Sequence, residues 1–243
     1  MPNWVSNIVK VEGLSEKDLF TKYEDGSVGF DFNKLIQMPP ELDVTDGGIT
    51  DVAIDSVISL FGYKPRSPWY DKSVEQFVKE GRFQELLNQG LQYITNRVKY
   101  GATTWYDWCN QHWNTKWNAC YTKHPSPDVV YFDTAWSTPD PIIKELSILF
   151  PEKSIHHWFF EESGAYSGYE ITRNGVVVYS EIDDPGSEAM NMRYGFINSN
   201  GNVLSKWGVP CPILYLEERE YNPLGLNCVY YLGERTLSNL GLI

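Results

Sequence analysis

The chain has 243 residues, a formal net charge of −12, 42% hydrophobic residues and 15% aromatic residues. That length and apolar content suffice for a packed core and exclude a disordered chain. The acidic balance argues against general nucleic-acid binding, since a phosphate backbone would be repelled; it suits solubility, or a basic partner such as a nucleic-acid-binding protein.

Met1–Gly13 is polar and strand-like, so no leader peptide is expected, and no apolar run is long enough to cross a bilayer. Trp4–Val11 reads as a strand with Val5, Val9 and Val11 on one face. Ser15-Glu16-Lys17-Asp18 has the form of a capping box, with Leu14 and Leu19 as a hydrophobic staple, and predicts a helix over 16–24 that ends at Asp25-Gly26. Val28–Phe32 reads as a second strand, stopped by Met38-Pro39-Pro40.

A helical insertion is expected over 41–127. Ile49–Phe61 is amphipathic, Asp71–Glu80 is a capped short helix, and Phe83, Leu86, Leu87, Leu91, Ile94 and Val98 form a helical stripe. Thr104 can cap a helix beginning at Trp105, with Trp105, Trp108, Cys109, His112 and Trp113 on one face. Then the opening pattern repeats. Val129–Asp133 is a strand, Ser137-Thr138-Pro139-Asp140 begins a helix with Ile142, Ile143, Leu146, Leu149 and Phe150 on its apolar face, and Ser154–Glu161 is the next strand. Two strand–helix–strand units give βαβ–βαβ, the ferredoxin-like α+β pattern with an antiparallel sheet, and place the strands ending at Val11 and Phe132 side by side at its centre. Asn174-Gly175 marks a hairpin between Tyr169–Arg173 and Val176–Ile182, and Asn200-Gly201 marks another. The expected division is a domain over 1–185 and a β-rich extension over 186–243, where Pro212–Ile243 reads as short strands and loops. Residues 159–243 hold 11 acids and 5 bases.

Chemistry-bearing residues concentrate in 105–119. Trp105, Trp108, Trp113 and Trp117, with Lys116 and Asn118 between or after them, can form an aromatic platform that stacks a base, a sugar or a partner side chain; the plainer reading is a helix pinned to its neighbours by tryptophan packing. Cys109, His112, Cys120 and His124 are zinc-competent residue types at an unfamiliar spacing. His156 and His157, adjacent on a strand, point to opposite faces and cannot easily share a metal. Cys109 and His112 stand at helical spacing as a possible thiol–imidazole pair. Glu161-Glu162 and Asp183-Asp184 read as solvated strand ends. No phosphate-binding glycine loop or nucleophile elbow occurs. Four cysteines, Cys109, Cys120, Cys211 and Cys228, are too few for a disulfide framework and are expected to be reduced, in the cytoplasm of a host cell.

Several motifs resemble one family. They are Met1-Pro2-Asn3-Trp4 with Asn7, Phe30-Asp31-Phe32-Asn33 with Met38-Pro39, Trp105-Tyr106-Asp107-Trp108-Cys109, Trp113-x-Thr115-Lys116-Trp117-Asn118-Ala119, and Phe132-Asp133-Thr134-Ala135-Trp136-Ser137-x-Pro139. In this order, over about 1–182, they are similar to the YubB ferredoxin-like family of phage and plasmid proteins, departing at Asn114, where that family carries Gly. The resemblance implies a ferredoxin-like fold and a mobile-element origin, and it implies no catalytic residue. The function expected is therefore a non-enzymatic binding protein without a cofactor. It would engage or inhibit a host or phage protein, a defence protein for instance, through an acidic and aromatic surface that includes Trp136. The alternatives are a nucleotide-binding protein using the tryptophan platform and a metal-dependent enzyme.

Overall fold

The computed structural model describes residues 2–187. The expected hairpin at Asn200-Gly201, the β-rich extension, Cys211 and Cys228 lie outside the described residues. The described residues divide into two compact units, residues 2–31 with 119–187, and residues 32–118.

The first unit is a ferredoxin-like domain built on a six-stranded antiparallel sheet. Its strands are β1 (Trp4–Lys10), β4 (Cys120–Ser126), β5 (Val129–Ala135), β6 (Ile155–Glu161), β7 (Ser167–Arg173) and β8 (Val176–Ile182), in the order β4-β5-β1-β6-β7-β8. β1 pairs with β5 at the centre, Val9 opposite Val130 and Asn7 opposite Phe132, as the repeat of the pattern requires. The connection from β5 to β6 is α5 (Asp140–Leu149), whose Ile142, Ile143 and Leu146 are buried. Asn174 and Gly175 both adopt positive φ, 43° and 78°, and close the β7–β8 hairpin as their sequence predicts.

Two expectations for this unit are corrected. No helix forms over 16–24. A single 3-10 turn at Leu14–Glu16 is followed by β2 (Phe20–Lys22), which pairs with β3 (Val28–Phe30). Ser15 does not cap a helix; its amide donates to Pro127 O at 2.9 Å, and the β-prone Phe20-Thr21 finds a partner across Asp25-Gly26. Leu14 and Leu19 are buried all the same, so the apolar spacing reported burial and not helix. The second strand of the main sheet is β4 and not Val28–Phe30, so α5 is the unit's one helix among the described residues. β4 lies at the sheet edge, is largely exposed and contains Pro125, which an edge strand tolerates; it carries no apolar alternation to betray it.

Residues paired across the strands share a face. Val9, Val130 and His157 lie on one face, as do Asn7, Phe132 and Phe159. α5 packs against β6 and β7 on this side, since the acid Glu170, opposite His157, feels Asp140 and Lys144 of that helix. Phe30 meets Phe132 there at 5.3 Å. The other face carries Trp4, Ser6, Ile8, Tyr131, Asp133, Trp158 and Tyr169.

The second unit holds α1 (Gly48–Ser59), α2 (Tyr70–Lys79), α3 (Phe83–Tyr100) and α4 (Trp105–His112). It begins at 32 and ends at 118, inside two of the quoted motifs rather than at 41 and 127. Its core joins Val52 and Ala53 of α1 to Leu86 and Tyr93 of α3. The buried line on α3 is Leu86, Gly90, Tyr93 and Asn96. The predicted stripe is rotated from it, and its Leu91 and Val98 are exposed. Gly90 sets that rotation. A β-carbon there would stand 2.1 Å from the Ala53 carbonyl oxygen, so the glycine is what lets the two helices touch.

Candidate functional site

Two of the four tryptophans of the motif are interior. Trp108 and Trp113 are buried, in edge-to-face contact at 5.6 Å, so neither offers a ring to a ligand. This removes Trp108 and Trp113 from the platform. Thr104 stands at the N-cap of α4 in extended conformation, but its hydroxyl accepts no hydrogen bond from the helix amides and donates instead to Asp46 Oδ1 at 2.8 Å. Trp113 Nε1 donates to Ile36 O at 2.9 Å, Cys109 Sγ approaches Met38 Sδ at 3.7 Å, and Asn118 Oδ1 accepts from Phe32 N at 2.9 Å. The motif thus ties segment 105–118 to segment 32–38. Asn114 adopts φ 61°, a conformation open to Gly and Asn, which accounts for either residue at that position. Trp105, Lys116 and Trp117 are half-buried, with Lys116 Nζ 3.8 Å from the Trp117 ring centroid.

The zinc-competent quartet does not form a centre. Among the described residues no group of three or more His, Cys, Asp or Glu could hold a metal ion. His112 stacks on Trp108 at 4.3 Å and places Nδ1 2.9 Å from the Trp108 carbonyl, while His124 packs on Phe20 at 4.7 Å. Burial pushes the Cys109 thiol up to about 12, and burial with Asp133 nearby also raises Cys120. Neither is an activated nucleophile in this state. Two acids read as solvated strand ends are in fact buried. Glu161 accepts from the Ser163 and Ala165 amides, each at 3.0 Å, and from the Ser163 hydroxyl; Asp183 accepts from Ser167 Oγ at 2.5 Å.

The surface that remains lies at one end of the sheet, where β1 begins, β5 ends and β4 starts. Four non-glycine residues have positive φ among the described residues, and two are asparagines. The other two are aromatic and exposed: Tyr121 (φ 51°, 69% exposed) and Trp136 (φ 73°, 53% exposed). Both backbones are held. The β4–β5 register shifts between Cys120 and Lys123, a bulge that turns Tyr121 so that its ring meets Trp4 edge-on at 5.4 Å. The Trp136 amide donates to Asn3 O at 2.9 Å, and the Tyr166 hydroxyl donates to the Trp136 carbonyl at 3.0 Å. Acids stand beside these rings. Asp133 lies on the same face as Trp4, and the Glu162 amide donates to Trp4 O at 2.9 Å. Burial raises the pKa of Asp133, and the neighbouring Glu162 adds to the rise, while a hydrogen bond from Ser6 and the charge of Lys123 oppose it. Trp136 was the one candidate the sequence placed in this region. Tyr121 and Trp4 escaped because a bulge brings them together, and no residue type announces a bulge at a non-glycine position.

A family model described as the ferredoxin-like domain in Api92-like protein matches residues 112–198. Those residues include β4, β5, α5, β6, β7 and β8. The match carries the ferredoxin-like family but the Api92-like name in place of the YubB one. The crystal structure of a protein Api92 from Yersinia pseudotuberculosis is similar at 13% identity and TM-score 0.36, over 77% of this chain and 100% of that one. No curated protein matches the sequence.

Proposed function

We propose that the chain is a non-enzymatic binding protein of a phage or other mobile element, which engages a basic host or phage protein through the acidic, aromatic end of its sheet. The observation that supports this is the pair of exposed aromatic rings on left-handed backbone. That conformation costs about 1–2 kcal/mol for an ordinary residue, and an exposed ring returns little of it as core packing. The cost is understandable if the rings are held out for a partner. Tyr121, Trp136 and Trp4 supply faces for a guanidinium or ammonium group, and Asp133 and Glu162 supply countercharge. Inhibition of a host defence protein is the role we assign, from the mobile-element resemblance of the sequence. The nucleotide alternative draws less support, because Lys116 already covers the Trp117 ring.

The test passes host lysate over immobilised protein and over a Tyr121→Ala/Trp136→Ala variant, identifies what is retained by mass spectrometry, and measures its affinity by calorimetry. The expected result is a basic protein whose Kd weakens by about ten-fold or more in the variant. A co-purified nucleotide or stoichiometric zinc, with no retained protein, would overturn the reading.

A further inference from the structure

The loop between α1 and α2, residues 60–69, is a second exposed aromatic surface of opposite charge character. Phe61 is 76% exposed, Tyr63 69% and Trp69 64%, and Lys64 and Arg66 stand among them. No acid occurs over 56–70 in a chain whose net charge is −12. The loop is not slack. Asp55 is buried, and its Oδ2 accepts from the Arg66 amide at 2.7 Å and the Ser67 amide at 2.6 Å. The Tyr63 amide reaches Ile58 O at 3.4 Å, and Pro65 and Pro68 fix two further φ angles. A buried carboxylate satisfied by two backbone amides sets the loop's shape before any partner arrives, which lowers the ordering cost of binding. The exposed Trp, Tyr and Arg are the residue types that dominate binding energy at protein interfaces.

We infer that loop 60–69 is a protein-docking site for an acidic segment of another polypeptide, with Lys64 and Arg66 pairing its carboxylates and Phe61, Tyr63 and Trp69 packing on its apolar groups. Charge distribution decides between this and other anionic occupants. Residues 32–118 hold nine Lys and Arg against ten Asp and Glu, and the rest of the chain holds eleven against twenty-two. A membrane or a nucleic acid is an anionic surface much larger than the loop, and beyond Lys64 and Arg66 the other seven cations of residues 32–118 are outnumbered by its ten acids. Two cations are also few for a nucleic-acid footprint, where each neutralised phosphate adds its own increment of affinity. An acidic peptide is small enough to meet the loop alone.

The probe is a fluorescent glutamate–tyrosine copolymer, titrated by anisotropy into the full chain, into a Lys64→Glu/Arg66→Glu variant and into a Tyr63→Ala/Trp69→Ala variant. Lys79→Glu, on the exposed face of α2, is the control. The expected outcome is binding by the full chain and the control, weakened by about ten-fold or more in both loop variants. It should also fall as salt rises from about 50 to about 300 mM. All substituted side chains are exposed, and melting curves check that each variant is folded. Absence of copolymer binding, or binding indifferent to both loop variants, overturns the inference. So does loop-dependent binding of phosphatidylserine vesicles or oligothymidylate without loop-dependent binding of the copolymer. The variants leave Tyr121 and Trp136 intact, so failure here is separable from failure of the proposed function.

Discussion

Trp136 tests the claim of strain with a pair of substitutions. Glycine and alanine both remove the ring, but only glycine occupies φ 73° without penalty. Trp136→Gly should therefore be more stable than Trp136→Ala by about 1 kcal/mol in denaturant unfolding, and equal stability would show that the backbone there is unstrained. His157 carries a second residue-scale consequence. It is fully buried, and burial lowers it to about 3. Asn7 uses its amide hydrogens on Val5 O and Thr134 Oγ1, so its Oδ1 accepts from His157 Nε2 at 2.9 Å and the ring is neutral. Burial also lowers His156 to about 4, with Lys10 and Arg173 adding to the shift. A histidine depressed in the fold is protonated first in the unfolded chain. Stability should be full above about pH 6.5 and fall as pH drops toward 3–4, by up to about 1.4 kcal/mol per pH unit for each histidine. Urea midpoints at pH 7 and 5 measure this; no difference, in a His157→Gln/His156→Gln comparison, would refute it.

At the scale of elements, Gly90→Ala would place a methyl group against the Ala53 carbonyl, 2.1 Å away, and force α1 and α3 apart. We expect a loss of about 2 kcal/mol even though alanine favours a helix by about 1 kcal/mol, read as a drop in melting temperature. Trp108→Ala should cost about 3–5 kcal/mol, the range for a large buried aromatic, and the half-buried Trp117→Ala clearly less. Similar losses for the two would make the entire motif core. The elements that the sequence disclosed were those whose signal is local: the Asn174-Gly175 turn, the apolar face of α5 and the β-rich run of β5. It misled where tertiary pairing overrode local preference. Ser15-Glu16-Lys17-Asp18 carries capping residues, yet residues 14–22 are better satisfied as a 3-10 turn and a strand. The α3 stripe counted leucines and valines, but the tightest contact on that helix is made by a residue with no side chain. β4 was missed because a largely exposed edge strand needs no apolar period.

On the scale of the whole molecule, the central β1–β5 pairing was legible because both strands are apolar, whereas the strand on the far side of β5 was not. The candidate site was not legible, because it joins the start of β1 to the start of β4 and the end of β5, which lie more than a hundred residues later in the sequence. The same scale governs association. With the acid excess outside residues 32–118, capture of a basic partner should be steered electrostatically. Its association rate, followed by stopped-flow fluorescence, should fall several-fold between about 50 and about 300 mM salt while the dissociation rate changes little. A salt-independent association rate would remove charge from the recognition step. One hydrogen bond has a longer reach than its strength suggests. Phe32 and Asn118 are 86 positions apart and sit within 2.9 Å of each other, so the helical unit leaves the polypeptide path where it joined it. Lengthening, shortening or replacing what lies between them alters no distance that the flanking chain must span. Those residues form a cassette with its own clasp.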